Sequence, residues 1–456
     1  MQEIESDVVI IGAGASGLSA ADALVADGFT VTVVEARDRV GGRLWTEEIQ
    51  GVTLELGGQW VSPDQTALID MIEELGLETY ARYRDGDSIY VAESGAVSRF
   101  EEDFPVPAST QDQIQGLIET VDALVAEIDV KAPWSHPRAA ELDSISWRDW
   151  LAEQTDDVEA RTLVSIFVAE AMLTKPAHTF SLLQALLMAA SAGSFTHLVD
   201  DGFLLDKRVV GGLQQVPLRL AARLGSSVQL GQAARRVAWD DESVVVTTDS
   251  LMVRAKRVIV AVPPNLYGRL SFEPALPAAQ HQLHQHLSLG LVIKVHAVYD
   301  RPFWRDTGLS GTAFGPHMTL HEAYDNTYLG SEGGTLVGFV SDTSADAMIA
   351  LEPDARREHL LECLATYFGP EALDPVVYFE SDWASEEWTR GAYAASFDIG
   401  GLSRYGALLR DPVGPIHWST SDLAAEGYQH VDGAIRIGRE TATSIASQLG
   451  GATGPS

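Results

Sequence analysis

Cysteine is nearly missing from this chain: Cys363 stands alone in 456 residues. A single thiol permits neither an internal disulfide nor a thiolate metal cluster, which fits a reducing compartment. Positive charge is scarce too, with 31 Lys and Arg against 65 Asp and Glu and a net charge of −34. That field repels phosphate backbones and acidic lipid, which excludes nucleic acid and anionic membranes as partners, and it gathers cations at the surface. A cationic small ligand fits this charge, and so does solubility alone. No apolar run nears the roughly 20 residues that cross a bilayer. The opening Met1-Gln2-Glu3-Ile4-Glu5-Ser6-Asp7 is acidic where a secretory leader is basic. The expectation is a cytoplasmic protein whose end, Gly450 to Ser456, is a polar tail and no anchor.

What is present is the composition of a globular α/β protein, 46% hydrophobic and 21% charged, with 40 Gly and 19 Pro. At roughly 150 residues per domain the length corresponds to two or three units. Internal repeats and low-complexity linkers are absent. Asp7 to Ile11 is a short β-branched run, read as a buried parallel strand. Gly12-Ala13-Gly14-Ala15-Ser16-Gly17 follows, then a helix over Leu18 to Asp27 and a second strand over Phe29 to Val34 that closes on Glu35. In such a βαβ unit Gly12 makes the tight turn and Gly14 admits a pyrophosphate to the helix N-terminus at Ala15 and Ser16. Gly17 lets the helix pack on the strand. Glu35, 18 residues beyond Gly17, is placed to accept from a ribose hydroxyl.

Glu35-Ala36-Arg37-Asp38-Arg39-Val40-Gly41-Gly42-Arg43 adds a second glycine pair and a guanidinium, Arg43, whose planar fork suits a pyrophosphate. Gly57-Gly58-Gln59-Trp60 supplies a third close-approach turn. Three such turns within 60 residues indicate an extended ligand lying across them. An NAD(P) dehydrogenase using Arg37 for a 2′-phosphate leaves Arg39 to Arg43 unexplained. The pattern resembles the FAD-binding half of the flavin amine oxidases, the monoamine oxidase family.

The remainder alternates. Gln113 to Ile128, Ser146 to Glu170 and Ser181 to Ala192 carry helical periodicity. Val209 to Val216 and the helix after it return to α/β. Ser227 to Val237, Ser243 to Thr248 and Arg257 to Val262 read as strands of the first domain. Leu289 to Tyr299, Gly334 to Ser341 and Val376 to Ser381 read as strands of a second sheet. The resemblance runs from Val8 to about Ser447. It implies a monoamine oxidase-like α/β fold: a Rossmann-type FAD-binding domain of non-adjacent segments (1–80, 201–285 and 390–456) and an α+β substrate domain of mixed sheet and helices (81–200 and 286–389). A homodimer is also implied.

Lys294 lies in the apolar strand Leu291-Val292-Ile293-Lys294-Val295-His296, where a charge is costly unless it faces a polar site. The bland alternative is a structural lysine paired with a carboxylate. By resemblance, Lys294 positions a water at the flavin and assists its reaction with O2. Trp383 matches the family's tryptophan beside the flavin, and Tyr393 one wall of an aromatic cage. Ala392 stands where mammalian members carry the cysteine bonded to the flavin, so FAD is expected to bind noncovalently. The other cage tyrosine of those enzymes falls on His430, with Tyr428 as the alternative wall. Val237, Val431 and Asp432 are further cofactor positions carried over by resemblance.

Gly391 to Asp398 and Glu426 to Ala434 look like the bacterial members that act on aliphatic diamines. A diamine needs a carboxylate for its distal ammonium, because an unpaired charge in a dry pocket costs several kcal/mol. Glu322 is the candidate, with Asp325 and Glu170 as fallbacks. The resemblance therefore implies oxidative deamination of a diamine, putrescine, to 4-aminobutanal with NH3 and H2O2. Rival readings are another amine (tyramine, histamine, cadaverine or a polyamine) or a flavin protein without turnover. His281, His284 and His286 are read as a helix face, not a metal site.

Overall fold

A computed structural model describes residues 1–200 and 202–450, so all but the first residue of the expected polar tail lies outside the described residues. The β-branched run forms the strand Val8–Ile11, buried along its whole length. It is the centre of an all-parallel sheet in the order Val228–Gln229, Val31–Val34, Val8–Ile11, Arg257–Val260, Ile416–Trp418. Near-continuous valine and isoleucine is what a sheet covered on both faces requires. On one face lie the helices Ala15–Ala26 and Val431–Leu449, packed on each other with Gly438 over Ser16 and Ser19.

The first helix begins three residues before the expected start. Gly14, extended at φ −79° and ψ 179°, is its N-cap, so Ala15, Ser16 and Gly17 make the first turn. The run expected as one strand over Ser227 to Val237 is two. Val228–Gln229 joins the parallel sheet, and after the turn at Gly231 (φ +65°) the strand Arg236–Trp239 enters a separate five-stranded sheet with Gln2–Glu5, Val244–Thr247, Leu251–Ala255 and Ser271–Glu273. The helix expected over Ser146 to Glu170 is also divided, into Trp147–Gln154, Val158–Ile166 and a π-helical turn Ala169–Leu173. Ser146 and Asp157 each accept a backbone N–H at the start of a new helix, which is why the periodicity restarts there.

The second sheet has seven strands in the order Val377–Asp382, Val292–Tyr299, Gly334–Ser341, Glu322–Asp325, Leu309–Phe314, Asp87–Val91, Val97–Phe100. Its side chains alternate between two layers. Ile293, Val295, Ala323, Leu336 and Val340 pack with Leu360, Leu361 and Leu364 of the helix Pro353–Phe368, where the lone Cys363 is also buried. Val292, Phe314, Tyr324 and Phe339 face the opposite way, into the core that meets the parallel sheet.

Candidate active site

A cavity of about 750 Å³ runs from the glycine loop to the second sheet. At its first end Gly12 holds φ +108°, and a Cβ there would come within 2.7 Å of the Ala261 carbonyl. Gly17 is pressed against the Gly12 carbonyl and Ile10. Gly14 differs: a Cβ on it would meet nothing within 4 Å and would project into open space beside Gly42. This is a cradle of backbone at a helix N-terminus, the form an anionic pyrophosphate needs. Glu35, 4% exposed, accepts from Ala13 N at 2.7 Å and Arg37 N at 2.9 Å while still lining the cavity. Arg37 pairs with Glu386 and donates to Thr389 Oγ1 at 2.7 Å, yet its Nε is buried without a partner, as is Trp60 Nε1. Orphaned buried donors are uncommon in folded proteins. With the Gly14 cradle they make this chain fit a dinucleotide cofactor. Ala15, Ser16, Gly58 and Gln59 line the same space.

Four expectations change here. The fork of Arg43 is filled by protein: it donates to both oxygens of buried Asp422 at 3.0 and 2.6 Å, to Ser421 Oγ and to the Tyr393 carbonyl. Burial alone would raise the Asp422 carboxyl, but Arg43, Thr420 and the Ala395 N–H hold it below the usual carboxylate range. Arg43 therefore fixes the Tyr393 loop while lining the cavity. Val237 is fully buried between two strands and does not line the cavity; Ala234, in the segment before the strand, does. Asp432 accepts from Leu68 N at 3.0 Å and Arg436 Nε at 2.6 Å, stapling its helix to a neighbour, and only Val431 reaches the cavity. Lys294, 4% exposed, directs its three N–H groups at Glu55 O (2.7 Å), Gly57 O (2.9 Å) and Gln59 Oε1 (2.6 Å). As an ammonium it has no donor left for a water. Burial pushes it down to about 7, with Glu55 opposing and Arg208 adding to the shift.

Trp383 is buried, with Nε1 donating to Leu56 O at 2.9 Å, and lines the cavity beside Ala392. Tyr393 stands 6.2 Å from Phe339, ring to ring and nearly perpendicular. Burial raises its hydroxyl well above 10, so it is a neutral phenol. His430 is the N-cap of Val431–Leu449 and lines the cavity, whereas Tyr428 points into the core with its hydroxyl on the Ala395 carbonyl at 3.2 Å. Of the two, His430 is thus the cavity residue. Its Nδ1 lies 2.9 Å from the Tyr428 carbonyl, which makes Nδ1–H the donor and Nε2 the acceptor of the neutral ring.

Cross-strand pairing sets the other wall. Lys294 pairs with Phe339, Phe339 with Glu322, and Glu322 with Phe314, one row across four strands. Glu322 is 5% exposed and accepts from the Tyr324 hydroxyl at 3.0 Å. Among the described residues no Lys or Arg pairs with it; the nearest basic atom is His321 Nε2 at 3.7 Å. Of its fallbacks, Asp325 faces away, bonded to Trp304 and Arg305, and Glu170 lies outside the lining. Phe339, Tyr324 and Phe314 were not singled out in sequence, although alternation along each strand marks them once the sheet is known. His284 packs on Tyr267 and Trp418, and His286 lies 2.9 Å from Asp398.

The sequence profile of the flavin containing amine oxidoreductases matches residues 15–446. A putrescine oxidase of Kocuria rosea is 58% identical, over 98% of this chain and 97% of its own. A solved putrescine oxidase bound to putrescine superposes with a TM-score of 0.97 at 58% identity, over 98% of this chain and all of that one. The cyclohexylamine oxidase of Brevibacterium oxydans superposes at 0.92 with 32% identity, over 98% and 99% of the two chains.

Proposed function

Because the chain belongs to the flavin-containing amine oxidoreductase family, we propose that it deaminates an aliphatic diamine, putrescine, consuming O2 and water and releasing 4-aminobutanal, NH3 and H2O2. The aldehyde can then cyclise to 1-pyrroline. The observation that carries the diamine is Glu322: a buried carboxylate without a Lys or Arg partner among the described residues, facing an aromatic cavity. A charge so placed is costly until a cation meets it.

FAD is the cofactor of this enzyme, and when bound it accepts the electron pair of the amine and passes it to O2. Gly14, Ser16, Glu35, Arg37, Gly42, Gly58 and Trp60 are the residues that would hold it, and Trp383 and Ala392 border the same space. Ala392 offers no nucleophile and Cys363 is buried in another cluster, which supports noncovalent binding.

The chain's own contribution is positioning. Glu322 takes the distal ammonium, so the reacting end extends along the row toward Lys294. Tyr393 and His430 border that end, and His430 Nε2 can accept a hydrogen from the neutral reacting amine. Lys294 can give or take a proton at Nζ near neutrality. The aromatic walls exclude water, and orientation of this kind is worth about 7–11 kcal/mol in favourable cases. Since the reacting amine must be neutral, activity should rise with pH until the distal amine also loses its proton.

The two five-stranded sheets draw their strands from 1–80, 201–285 and 390–456, and the seven-stranded sheet from 81–200 and 286–389, which supports a flavin domain and a substrate domain with those bounds. A cytoplasmic homodimer completes the reading. No helix among the described residues is long and apolar enough to cross a membrane. A peroxide assay across putrescine, cadaverine, spermidine, tyramine and histamine tests the proposal: putrescine should give the largest kcat/KM, and a preference for tyramine would overturn it.

A further inference from the structure

Thr174 holds a backbone conformation that its own side chain disfavours. It caps the π-helical turn Ala169–Leu173 at φ 50° and ψ 40°, in the left-handed region, where a β-branched residue is a genuine outlier. Strain of this kind persists only where the surroundings enforce it, and it gathers at functional sites. Here the surroundings are tight: Thr174 is 1% exposed, its carbonyl accepts from Leu291 N at 3.0 Å, and a Cβ on Gly290 would collide with Thr174 Oγ1 and the Leu173 carbonyl.

From that position the hydroxyl reaches the loop that carries Tyr393. Thr174 Oγ1 lies 2.6 Å from the Ala392 carbonyl and 2.8 Å from Leu173 O on its own turn. A hydroxyl has one proton to give, and the shorter contact is the one that crosses between segments. Ala392 N donates to Gly290 O at 3.1 Å, and the Tyr393 carbonyl accepts from Arg43 at 2.9 Å. The carbonyls before and after the Tyr393 Cα are thus held by Thr174 on one side and Arg43 on the other. Arg43 belongs to the loop beside the cofactor cradle. Thr174 ends a turn whose Ala171 and Met172 line the cavity, and the Glu170 carbonyl of that turn accepts from Ser341 Oγ at 3.0 Å. Ser341 closes the strand of Phe339, the ring that Tyr393 meets at 6.2 Å.

We propose that Thr174 is a positioning residue for the oxidation: its hydroxyl fixes the Tyr393 ring relative to the amine-facing wall, and so sets where the reacting end of the amine lies. The inference rests on the reading of Tyr393 as a border of that end. Thr174 is outside the cavity lining, so it acts through Tyr393 and not on the amine. Loss of the hydroxyl leaves the buried Ala392 carbonyl without this donor, and the loop must shift to find another. A misplacement of about 1 Å at a reacting centre can cost about a hundredfold in rate. The charge contact that binds the diamine, at Glu322, is on another element and stays as it is.

Three variants of the flavin-loaded enzyme test this. Thr174→Val keeps the β-branch and removes the donor. Thr174→Gly removes the donor and accepts φ 50° without strain, so it carries the test where the valine variant fails to fold. Thr174→Ser keeps the hydroxyl. Anaerobic mixing with putrescine or n-butylamine gives the limiting rate of flavin bleaching and, from its dependence on amine concentration, the Kd. In the valine and glycine variants the limiting rate should fall about 10- to 100-fold with both amines, with each Kd within about threefold of the parent. Thr174→Ser should restore the rate to within about threefold. Amide deuterium exchange across 391–397 should quicken in the two variants without a hydroxyl and match the parent in Thr174→Ser. A parent-like rate in Thr174→Gly, a loss in Thr174→Ser as large as in Thr174→Gly, or a loss carried by Kd alone overturns the role of the hydroxyl. If neither amine bleaches the parent, the proposed reaction itself is wrong; if the parent and all three variants bleach alike, only the present inference fails.

Discussion

Replacing Glu322 by glutamine removes one charge and almost nothing else. The amide has the carboxylate's volume, and its oxygen can still accept from the Tyr324 hydroxyl now 3.0 Å away. The site is 5% exposed, so solvent does little to screen a charge pair formed there. Truncating one partner of a buried charge pair costs about 2–5 kcal/mol in comparable interfaces. A loss of about 3 kcal/mol corresponds to roughly a hundredfold in kcat/KM for putrescine, at about 1.4 kcal/mol per factor of ten. n-Butylamine has the same four carbons and no distal ammonium, so its kcat/KM should change less than about threefold or improve, as the empty carboxylate no longer has to be buried. Initial rates of peroxide formation with the two amines, in the same buffer and at low and high salt, measure both numbers. The hundredfold gap should persist in salt, because a buried pair lies beyond the reach of the ionic atmosphere. Parallel losses for the two substrates, or a putrescine loss below threefold, would refute the anchor.

Gly14→Ala should fold with stability close to the parent and lose flavin, read as the ratio of visible to ultraviolet absorbance, because its Cβ meets no protein atom and enters the cradle. Gly12→Ala, at φ +108° and against the Ala261 carbonyl, should instead lose about 1–3 kcal/mol of stability; equal flavin loss without destabilisation would contradict the assignment. Asp422→Asn leaves Arg43 without its buried counter-charge and should cost about 3–5 kcal/mol by urea denaturation. The Asp422 carboxyl is held lower folded than unfolded, so its contribution is complete above the unfolded carboxylate range and disappears as pH falls through the folded value; the gap between parent and variant should close in acid. Acid precipitation should leave yellow FAD in the supernatant, whereas colour in the pellet would show a covalent link. With a net charge of −34 and Glu101, Glu102 and Asp200 along the cavity lining, kcat/KM for putrescine should decline with ionic strength; a flat profile would reduce the charge to solubility.

Features that depend on a few adjacent residues were legible in the sequence. The glycine loop is one, since its demands are local: a positive φ at Gly12, open space at Gly14, contact at Gly17. Partners are another matter. The arginine type at position 43 correctly suggested a bidentate donor, but its acceptor, Asp422, lies 379 residues away, and nothing near Arg43 announces it. Val237 shares the apolar pattern of its strand, and that pattern does not distinguish a residue inside a sheet from one in the turn before it, where Ala234 meets the cavity. Asp432 carried a readable signal in Arg436 one helical turn on; an i,i+4 pair more often staples a helix than binds a ligand.

The choice between Glu322 and Asp325 shows where a sequence pattern stops. Both acids lie in Glu322-Ala323-Tyr324-Asp325, and alternation alone says only that Glu322 and Tyr324 share one face and Ala323 and Asp325 the other. Which face meets the cavity depends on pairing with Gly334–Ser341, where Glu322 falls opposite Phe339 and Asp325 opposite Leu336. A slip of one residue would exchange the two faces. The register is held from the far side: Ala323 is small enough to lie in the layer under the helix Pro353–Phe368, and Asp325 is bound at 2.8 Å by Trp304 Nε1 and at 2.7 Å by Arg305. If Glu322 is the diamine anchor as proposed, Trp304 and Arg305 act on specificity without touching the cavity, since the bonds that satisfy Asp325 keep Glu322 turned inward.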